Sequence, residues 1–561
     1  MIFRDCYLTQ KGENSKMQGM TAIVKILKAE GVEFISGFPM NAVFEAGAKE
    51  GIRPIISRNE RVGVGMADGF TRASFGKRIG VCAMQSGPGV QNAYSGVAQA
   101  FSESVPILVL PSGPARRRLS PPNFIASKSF RDITKWTDMI NFADRVPEMM
   151  RQAFTCFRMG KPGPVLLEIP ADVANEEFDD AKFQYTPVKA VRSAGDPADV
   201  RETAKALIAA RNPVIRAGMG VLYATAWDEL TELAELLQIP VFTTMAGKSA
   251  FPENHPLALG AGGRTRPKML MHFLKKADLV FSIGSSCTKE GFTTPIPDDK
   301  AVIQSTIDTM DLNKDYPLQG AIIGDAKLVL QQLIDEVKEQ LGPEGKKGDD
   351  AIAREIKTVK DEWLMEWMPK LTSDETPINP YRLIRDMMQV LDPRETIITH
   401  DSGSPRDHLL PFWECPVPGG YIGWGKMTTL GASLGFAMGA KLARPEKTAV
   451  SFLGNAAFGM VGMDFETAVR ENIPILVVLV NNSLLGGYQG HHPVASEQYN
   501  LNRQTGDYVK IAEGLGGYAE RVEQPDDIIP ALQRAKKSVD SGKAALLEVI
   551  TREELDFSIY R

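Results

Sequence analysis

Short apolar runs of strand length alternate with amphipathic helical stretches along almost the whole chain. Runs such as 79–83, 106–110 and 279–284 are nearly continuous in apolar residues, as expected for strands that are buried on both faces of a sheet. Regular alternation of such strands with helices is typical of α/β proteins with parallel sheets. Since 561 residues exceed what a single hydrophobic core serves, we expect several such domains.

Changes in composition divide the chain into blocks. The stretch 342–350, Gly-Pro-Glu-Gly-Lys-Lys-Gly-Asp-Asp, is the clearest linker, and small and charged residues also collect at 193–197. We predict a loose polar tail at 1–18, α/β domains at 19–190, 191–341 and 376–561, and a linker with a connecting helix at 342–375.

Charge and cysteine content exclude several classes of protein. The net charge of −5 provides no global basic field, so we expect neither nucleic acid nor an acidic membrane surface as a partner. No apolar run approaches the roughly 20 residues of a membrane span. The five cysteines are widely spaced without a Cys-x-x-Cys pair, which favours a reducing cytoplasm over a disulfide framework or a zinc site.

Two strand ends in the last block carry the most informative residues. The run 451–460, Ser-Phe-Leu-Gly-Asn-Ala-Ala-Phe-Gly-Met, predicts a strand that ends in a turn of small residues before a helix. The next strand, 475–480, ends in the carboxamide pair Asn481-Asn482. Parallel strands end at the same sheet edge, where amide N–H groups hold phosphate and side-chain oxygens bind Mg²⁺. The pattern favours a diphosphate site, but two ordinary strand-to-helix turns have the same spacing.

These motifs resemble those of thiamine-diphosphate enzymes of the acetolactate synthase-like superfamily, which carry Gly-Asp-Gly followed by Asn-Asn. The segment 55–61, Ile-Ile-Ser-Arg-Asn-Glu-Arg, is similar to the one around the family's cofactor-activating glutamate. The segment 85–92 resembles its Ser-Gly-Pro-Gly turn, and 213–220 resembles its central domain. The resemblance implies three doubly wound parallel-sheet domains, namely pyrimidine-binding at 19–190, central at 191–341 and diphosphate-binding at 376–561.

By this resemblance, Glu60 activates the cofactor. A carboxyl group at the pyrimidine ring nitrogen favours the imino tautomer, whose exocyclic nitrogen then removes the thiazolium proton. Taken alone, Glu60 is more consistent with a surface salt bridge to Arg58 or Arg61, and only the surrounding motif favours the cofactor role. The resemblance also places Leu430 beneath the bent cofactor and the Thr428 carbonyl at its exocyclic amine, although a shifted register gives the first role to Met427.

The resemblance implies a diphosphate and metal site in the last domain. Its expected cofactor contacts are Ser402, Gly403, Ser404, Gly454, Ala456, Ala457 and Asn482, and its expected metal ligands are Asn455, Asn482 and the Leu484 carbonyl. Asn455 stands where the family has an aspartate, which removes one negative charge from the Mg²⁺ shell. We therefore expect weaker retention of metal and cofactor than is usual in the family.

Two further residues are candidates for contact with the substrate. Gln85 precedes the Ser-Gly-Pro-Gly turn, where it either touches the substrate or supports the turn. His491 lies with His492 just beyond the expected metal loop, where a histidine could move a proton or bind a carboxylate. An exposed loop pair without a catalytic role is the alternative for the two histidines.

The resemblance implies a carbon–carbon lyase or carboligase that acts on a 2-keto acid, 2-hydroxyacyl or aldehyde substrate through an enamine–carbanion intermediate. The segment 458–467 is most similar to the branch of oxalyl-CoA decarboxylase and 2-hydroxyacyl-CoA lyase, whereas the first two domains are at least as similar to acetolactate synthase. A flavin-linked 2-keto acid oxidase and a catalytically degraded cofactor-binding relative are the alternatives. No motif indicates FAD. Since Glu60 and Asn482 lie in different domains, the resemblance implies a homodimer or homotetramer.

Overall fold

Three six-stranded parallel sheets follow one another along the chain. The computed structural model describes residues 15–346, 350–427 and 429–560. Helices cover the sheets, as the alternation of apolar strands with amphipathic helices predicts. The predicted α/β class with three parallel-sheet domains is thereby confirmed. None of the described helices is both long enough and apolar enough to cross a membrane.

The first unit contains strands β1 to β8 and helices α1 to α7. In chain order they are β1 Lys16–Gln18, α1 Gly19–Ala29, β2 Phe34–Gly37, α2 Ala42–Lys49, β3 Arg53–Ile56, α3 Glu60–Ala73, β4 Gly80–Met84, α4 Pro88–Ser102, β5 Ile107–Gly113, α5 Ala126–Ser129, β6 Trp136–Met139, α6 Val146–Arg158, β7 Val165–Pro170, α7 Ala171–Ala174 and β8 Glu177–Asp179. The six-stranded sheet has the order β3-β2-β4-β5-β7-β6. The carboxyl ends of β3 and β4 therefore present the segments before α3 and α4 at one edge.

The second unit has a sheet of order β11-β10-β9-β12-β13-β14. Its elements are α8 Pro197–Ala209, β9 Pro213–Ala217, α9 Met219–Tyr223, α10 Trp227–Leu237, β10 Val241–Thr244, β11 Ala258–Gly262, α11 Lys268–Lys276, β12 Leu279–Ile283, β13 Ala301–Thr306, β14 Gly320–Ile323 and α12 Ala326–Leu341. The chain runs outward from β9 to β11 and then returns to β12 on the other side of β9. A crevice opens between β9 and β12 at this reversal, where ligands of such sheets bind.

The long helix α13, Ala351–Leu371, leads to the third unit, whose sheet order is β16-β15-β17-β18-β20-β19. Its elements are α14 Pro380–Val390, β15 Thr396–His400, α15 Ser404–Phe412, β16 Tyr421–Ile422, α16 Ala432–Ala443, β17 Thr448–Gly454, α17 Asn455–Val461, α18 Phe465–Arg470, β18 Ile475–Asn481, α19 Tyr488–His491, α20 Pro493–Tyr499, α21 Tyr508–Gly514, β19 Tyr518–Val522, α22 Ile528–Asp540 and β20 Ala545–Ile550. Because β15, β17 and β18 are neighbours, the turns that follow them lie side by side.

Several helices begin at a polar residue that caps their first turn. The side chains of Asn41, Asn59, Asp196, Asp325 and Asn379 each accept a hydrogen bond from a backbone N–H two residues further along. Such caps satisfy amide groups that have no partner within the helix. The cap at Asn59 makes Glu60 the first residue of α3.

The predicted tail 1–18 was wrong for its last three residues. Strand β1 pairs antiparallel with β8, and Met17 is buried between them and the first unit's core. Pairing of this strand depends on residues about 160 positions away, which no local pattern reveals. Residues 1–14 of the predicted tail lie outside the described part of the chain. The domain limits given above remain a prediction.

Helices α3 and α16 hold the first and third units together at very short range. A Cβ atom on Gly69 would lie 2.4 Å from the Phe436 carbonyl oxygen, and one on Gly439 would lie 2.1 Å from the Met66 carbonyl oxygen. The two backbones therefore touch where glycine removes the side chain. Arg72 of α3 adds a hydrogen bond of 2.7 Å to the Gly423 carbonyl. This contact fixes the position of α3, and hence of Glu60, against the third unit.

Candidate functional site

Glu60 lies buried at the start of α3, with 5% of its surface exposed. Its Oε2 accepts a hydrogen bond of 3.1 Å from Asn92 Nδ2, whereas no described residue bonds to Oε1. A Cβ on Gly89 would lie 3.1 Å from Oε1 and 2.6 Å from Cγ of Gln85, so glycine lets both side chains reach α4. The structure thus brings Glu60 and Gln85 together and leaves one carboxylate oxygen for another partner.

The salt-bridge alternative for Glu60 does not occur among the described residues. Arg58 instead pairs with Glu466 of the third unit at 2.9 Å. Its backbone N–H also donates to Asp464 at 2.7 Å. Burial raises the pKa of Asp464 to about 6, and the hydrogen bond from Arg58 opposes that rise. The residues around Glu60 therefore tie the start of α3 to the third unit, while the Glu60 carboxylate forms no ion pair with any described residue.

The carboxyl edge of the third sheet gathers the residues predicted to hold a diphosphate and a metal. Ser402, Gly403 and Ser404 come shortly after β15. Gly454 is the last residue of β17, Asn455 comes next, and Asn482 comes directly after β18. Gly403 has φ +82°, a left-handed conformation that favours glycine in the turn before α15. Three neighbouring strand ends thus present small residues, amide N–H groups and carboxamide oxygens at one place.

Asn455 is buried, with 2% of its surface exposed, and is oriented by a residue far along the chain. Its Nδ2 donates a hydrogen bond of 2.9 Å to Oε1 of Gln504. No described residue donates to Asn455 Oδ1, which leaves that oxygen available as a ligand. Asn482 Oδ1 accepts from the Leu484 backbone N–H at 3.0 Å, so Asn482 shapes the loop that carries the Leu484 carbonyl.

The segment before α16 is held by one carboxylate of the first unit and by one of its own unit. Glu103 accepts the backbone N–H groups of Gly425 at 3.1 Å and Lys426 at 2.7 Å. Asp401 accepts from the N–H groups of Gly431 at 3.0 Å and Ser433 at 3.1 Å. Burial raises the pKa of Asp401, and these backbone donors oppose the rise. The segment that includes the candidate Leu430 is thereby held between α4 and the end of β15.

Leu430 and Met427 differ in their surroundings. Leu430 is half-buried and packs against the core shared by α3, α16 and the third sheet, whereas half of the Met427 surface is exposed. Packing of this kind suits an apolar residue that supports a ligand from below. Thr428, whose carbonyl is the other cofactor contact predicted for this segment, lies outside the described residues.

A cavity of about 420 Å³ opens where the second unit meets the first and third units. It lies at the crevice between β9 and β12, and its lining includes Arg216, Ser305, Glu103 and Lys426. Arg216 is 2% exposed, and its Nε and Nη1 have no hydrogen-bond partner among the described residues. A buried cation without a partner is unfavourable, so this cavity suits an anionic group.

Comparison with known proteins identifies the family of the chain. Models of thiamine pyrophosphate enzymes match the chain in three consecutive parts: the N-terminal TPP binding domain at 17–138, the central domain at 200–333 and the C-terminal TPP binding domain at 401–549. A probable acetolactate synthase large subunit of Methanocaldococcus jannaschii is 31% identical over 95% of this chain and 92% of its own length. The chain belongs to the acetolactate synthase-like superfamily of thiamine pyrophosphate enzymes.

Other members of the superfamily are similarly related along their whole length. A probable acetolactate synthase large subunit of Methanococcus aeolicus is 32% identical, over 92% of this chain and 90% of that protein. A glyoxylate carboligase of Escherichia coli O157:H7 is 28% identical, over 97% of this chain and 95% of that protein. The resemblance inferred from the motifs is thus confirmed, and the protein is a thiamine-pyrophosphate-dependent enzyme.

The residues present fit the family's cofactor. Glu60 is buried and has one carboxylate oxygen without a hydrogen bond from a described residue, which would suit a ring nitrogen of the cofactor. At the other end, Gly454 comes directly before α17, and a Cβ there would meet nothing closer than 3.6 Å, so the turn that leads to Ala456 and Ala457 is open at Gly454. The Asn455 and Asn482 side chains and the Leu484 carbonyl supply oxygen donors, the type that Mg²⁺ prefers.

His491 is placed differently from the other candidates. It ends the short helix α19 on the protein surface, exposed beside Tyr488, with 6.3 Å between the ring centres. No contact between His491 and another candidate residue occurs in the described part of the chain. Its proposed catalytic role therefore remains a prediction.

Three residues of these sites were missed by sequence reasoning. Gln504 orients Asn455, Glu553 accepts the backbone N–H of Gly487 at 2.8 Å, and Arg216 faces the central cavity. Gln504 and Glu553 stand outside the motifs quoted above for the family. For Arg216 the sequence did contain a signal, because an isolated charge in an apolar strand is unusual and points to a functional contact.

Proposed function

We propose that the protein is a carboligase or lyase that uses thiamine diphosphate and Mg²⁺ to make or break a carbon–carbon bond next to a carbonyl group. The buried Glu60 carboxylate, with one oxygen free beside Gly89, is the observation that carries this proposal. The names of the relatives, acetolactate synthase and glyoxylate carboligase, support carboligation. Substrates of the expected classes are 2-keto acids, 2-hydroxyacyl thioesters and aldehydes.

Each end of the proposed site has a separate task. Thiamine diphosphate, when bound, supplies an electron sink for a bond beside a carbonyl carbon. Glu60 shares a proton with the pyrimidine ring nitrogen, while Asn92 holds its other oxygen. Leu430 supports the cofactor from the segment that Glu103 and Asp401 fix. Ser402, Ser404 and the amides at the start of α17 hold the diphosphate together with Mg²⁺.

Calorimetry and product analysis test this function. Titration of thiamine diphosphate with Mg²⁺ should show binding, and mass spectrometry should find a new or cleaved carbon–carbon bond with pyruvate, glyoxylate, oxalyl-CoA, a 2-hydroxyacyl-CoA or an aldehyde. Glu60→Gln should lower kcat by at least about 100-fold while cofactor binding changes little, because the amide cannot share the proton. Full activity of Glu60→Gln would refute the role of Glu60, and an absence of cofactor binding by the wild type would favour the degraded relative.

A second candidate is an additional nucleotide-bearing cofactor, FAD or CoA, in the central cavity. The unpartnered guanidinium of Arg216 favours a phosphate group there, and the position between β9 and β12 is typical of nucleotide sites. Burial lowers the pKa of Lys426, which also lines the cavity. Visible flavin absorbance of the purified protein would favour FAD and the oxidase alternative, whereas Arg216→Met should abolish binding of either nucleotide.

A further inference from the structure

The proposed metal site consists of neutral donors. Asn455 and Asn482 offer carboxamide oxygens and Leu484 offers a carbonyl, and the partner of Asn455 is the neutral Gln504. No group of three or more histidine, cysteine, aspartate or glutamate side chains that could hold a metal occurs among the described residues. A divalent cation beside a diphosphate is favoured by a carboxylate in its surroundings. If the cation site has a negative charge from the protein, a residue other than Asn455 must provide it.

The C-terminal segment brings one carboxylate to this edge. After β20, the backbone N–H of Thr551 donates to the Asn481 carbonyl at 2.9 Å, so the chain passes directly beside the end of β18. Two residues later, Glu553 Oε1 accepts the Gly487 N–H at 2.8 Å. The loop that contains the Leu484 carbonyl is therefore held between Asn482 on one side and Glu553 on the other.

Gly486 marks the point where the relevant groups converge. A Cβ atom on this residue would lie 3.2 Å from Ser404 Oγ, 3.9 Å from Asn482 Nδ2 and 3.9 Å from Glu553 Oε1. Ser404 is a predicted diphosphate contact, and Asn482 is a predicted metal ligand. Glu553 Oε1, Ser404 Oγ and Asn482 Nδ2 therefore all border the small space that Gly486 leaves open.

The charge of Glu553 is not neutralised by a basic side chain among the described residues. Its neighbours are different, because Arg552 pairs with Glu375 at 2.8 Å and Glu554 pairs with Lys370 at 3.1 Å. Glu553 is partly buried, so its charge is less screened than on the open surface. It therefore provides a net negative charge at the edge where the cation is expected.

We propose that Glu553 supplies the negative charge that Asn455 does not, acting on the bound cation through its water ligands. Mg²⁺ gives up its water reluctantly and usually keeps several molecules, so a carboxylate outside the direct ligand set still stabilises it. The inference rests on the proposed function, since it assumes a Mg²⁺-dependent diphosphate site. It assigns Glu553 as a positioning residue for the metal loop and as the charge partner of the ion.

The test measures, by calorimetry on the full chain, the Mg²⁺ concentration that gives half-maximal binding of thiamine diphosphate. Glu553→Gln keeps an oxygen acceptor for the Gly487 N–H but removes the charge, and should raise this concentration about tenfold. Adding Asn455→Asp to Glu553→Gln should restore it to within about threefold of the wild type. Glu523→Gln, which removes an exposed carboxylate of the same unit, is the matched control and should change nothing.

A role limited to holding the loop predicts other results. A Mg²⁺ requirement of Glu553→Gln within about twofold of the wild type, or no recovery on adding Asn455→Asp, would overturn the proposal. Glu553→Asp keeps the charge with a shorter reach and should stay within about threefold of the wild type, and a tenfold rise would also count against the proposal. If the wild type bound no thiamine diphosphate at saturating Mg²⁺, the proposed function itself would fail instead.

Discussion

At the scale of single residues, the replacement of the family aspartate by Asn455 is the most informative departure. The carboxamide keeps an oxygen for a metal, and Gln504 holds its nitrogen at 2.9 Å so that Oδ1 is free. An aspartate at this position would need the Gln504 amide to turn and donate its nitrogen, which costs little because the two ends of the amide are similar in shape. Gln504 therefore orients the neutral Asn455 as a candidate metal ligand, and it would also accommodate a charged aspartate at position 455.

Asn455→Asp should lower the Mg²⁺ concentration that gives half-maximal cofactor binding by about threefold, because it adds a charge next to a divalent cation. The same calorimetric titration measures this shift. Asn455→Ala, which removes the ligand oxygen, should raise the requirement instead. Binding by Asn455→Asp that is no better than wild type at limiting Mg²⁺ would contradict the expected weakness of the natural site.

At the scale of structural elements, the contact of α3 with α16 decides where Glu60 lies. A Cβ atom at Gly439 would be 2.1 Å from a backbone oxygen of α3, a separation that real structures do not allow. The alternation of strands and helices predicts both helices but not their contact, because Gly69 and Gly439 lie 370 positions apart in the chain. The approach of the two backbones is a property of packing.

Gly439→Ala should separate α3 from α16 and destabilise the protein by about 1–3 kcal/mol, the usual effect of inserting atoms into a packed interface. Thermal denaturation measures the loss, and cofactor binding should weaken with it because Glu60 begins α3. Gly459→Ala in α17 is the matched control. A Cβ there meets nothing within 4 Å, so alanine should be neutral or stabilising by about 0.5–1 kcal/mol.

At the scale of the whole molecule, the C-terminal segment packs on the third unit and reaches the second, where the Arg266 backbone N–H donates to the Ser558 carbonyl at 2.8 Å. His408 is fully buried and shares a hydrogen bond of 3.0 Å between its Nε2 and the Glu554 carbonyl, while Nδ1 has no partner in the described structure. Burial lowers the pKa of His408 from 6.5 to about 4. A proton on Nδ1 would place an unsatisfied charge inside the protein, so the folded state excludes it.

Acid should therefore weaken this part of the fold. A histidine whose pKa is lower in the folded state contributes stability that is present above pH 6.5 and is lost as the pH falls toward 4. Between pH 7.5 and 5.5 His408 should account for about 1.4 kcal/mol of lost stability. His408→Gln keeps a donor for Glu554 without titrating, so its melting temperature should fall less over this interval than that of the wild type. Equal decreases in both proteins would contradict the assignment.

Exposed apolar residues predict that the molecule associates with a second copy. Met460 and Met463 are both more than half exposed just beyond the candidate metal turn, and Phe101 is exposed on α4. Apolar groups on the surface near a site between units favour an interface there. Sedimentation should show a dimer or tetramer, and Met460→Glu with Met463→Glu should shift it toward smaller species. Met310→Glu, at an exposed position of the second unit, is the control and should leave the sedimentation unchanged. An active wild-type monomer would refute the expected association.

The amino-acid sequence by itself determined the class of the fold and the strand ends at which the candidate residues stand. Strand and helix periods are local, and residues such as Asn455 and Asn482 follow their strands directly, so neighbouring parallel strands bring them to one edge. Only the tertiary structure revealed the strand Lys16–Gln18, the Arg216 cavity, and the hydrogen bonds of Gln504 and Glu553. Each of these depends on segments far apart in the chain. Their contacts arise from the packing of whole units, and no local pattern of residues encodes them.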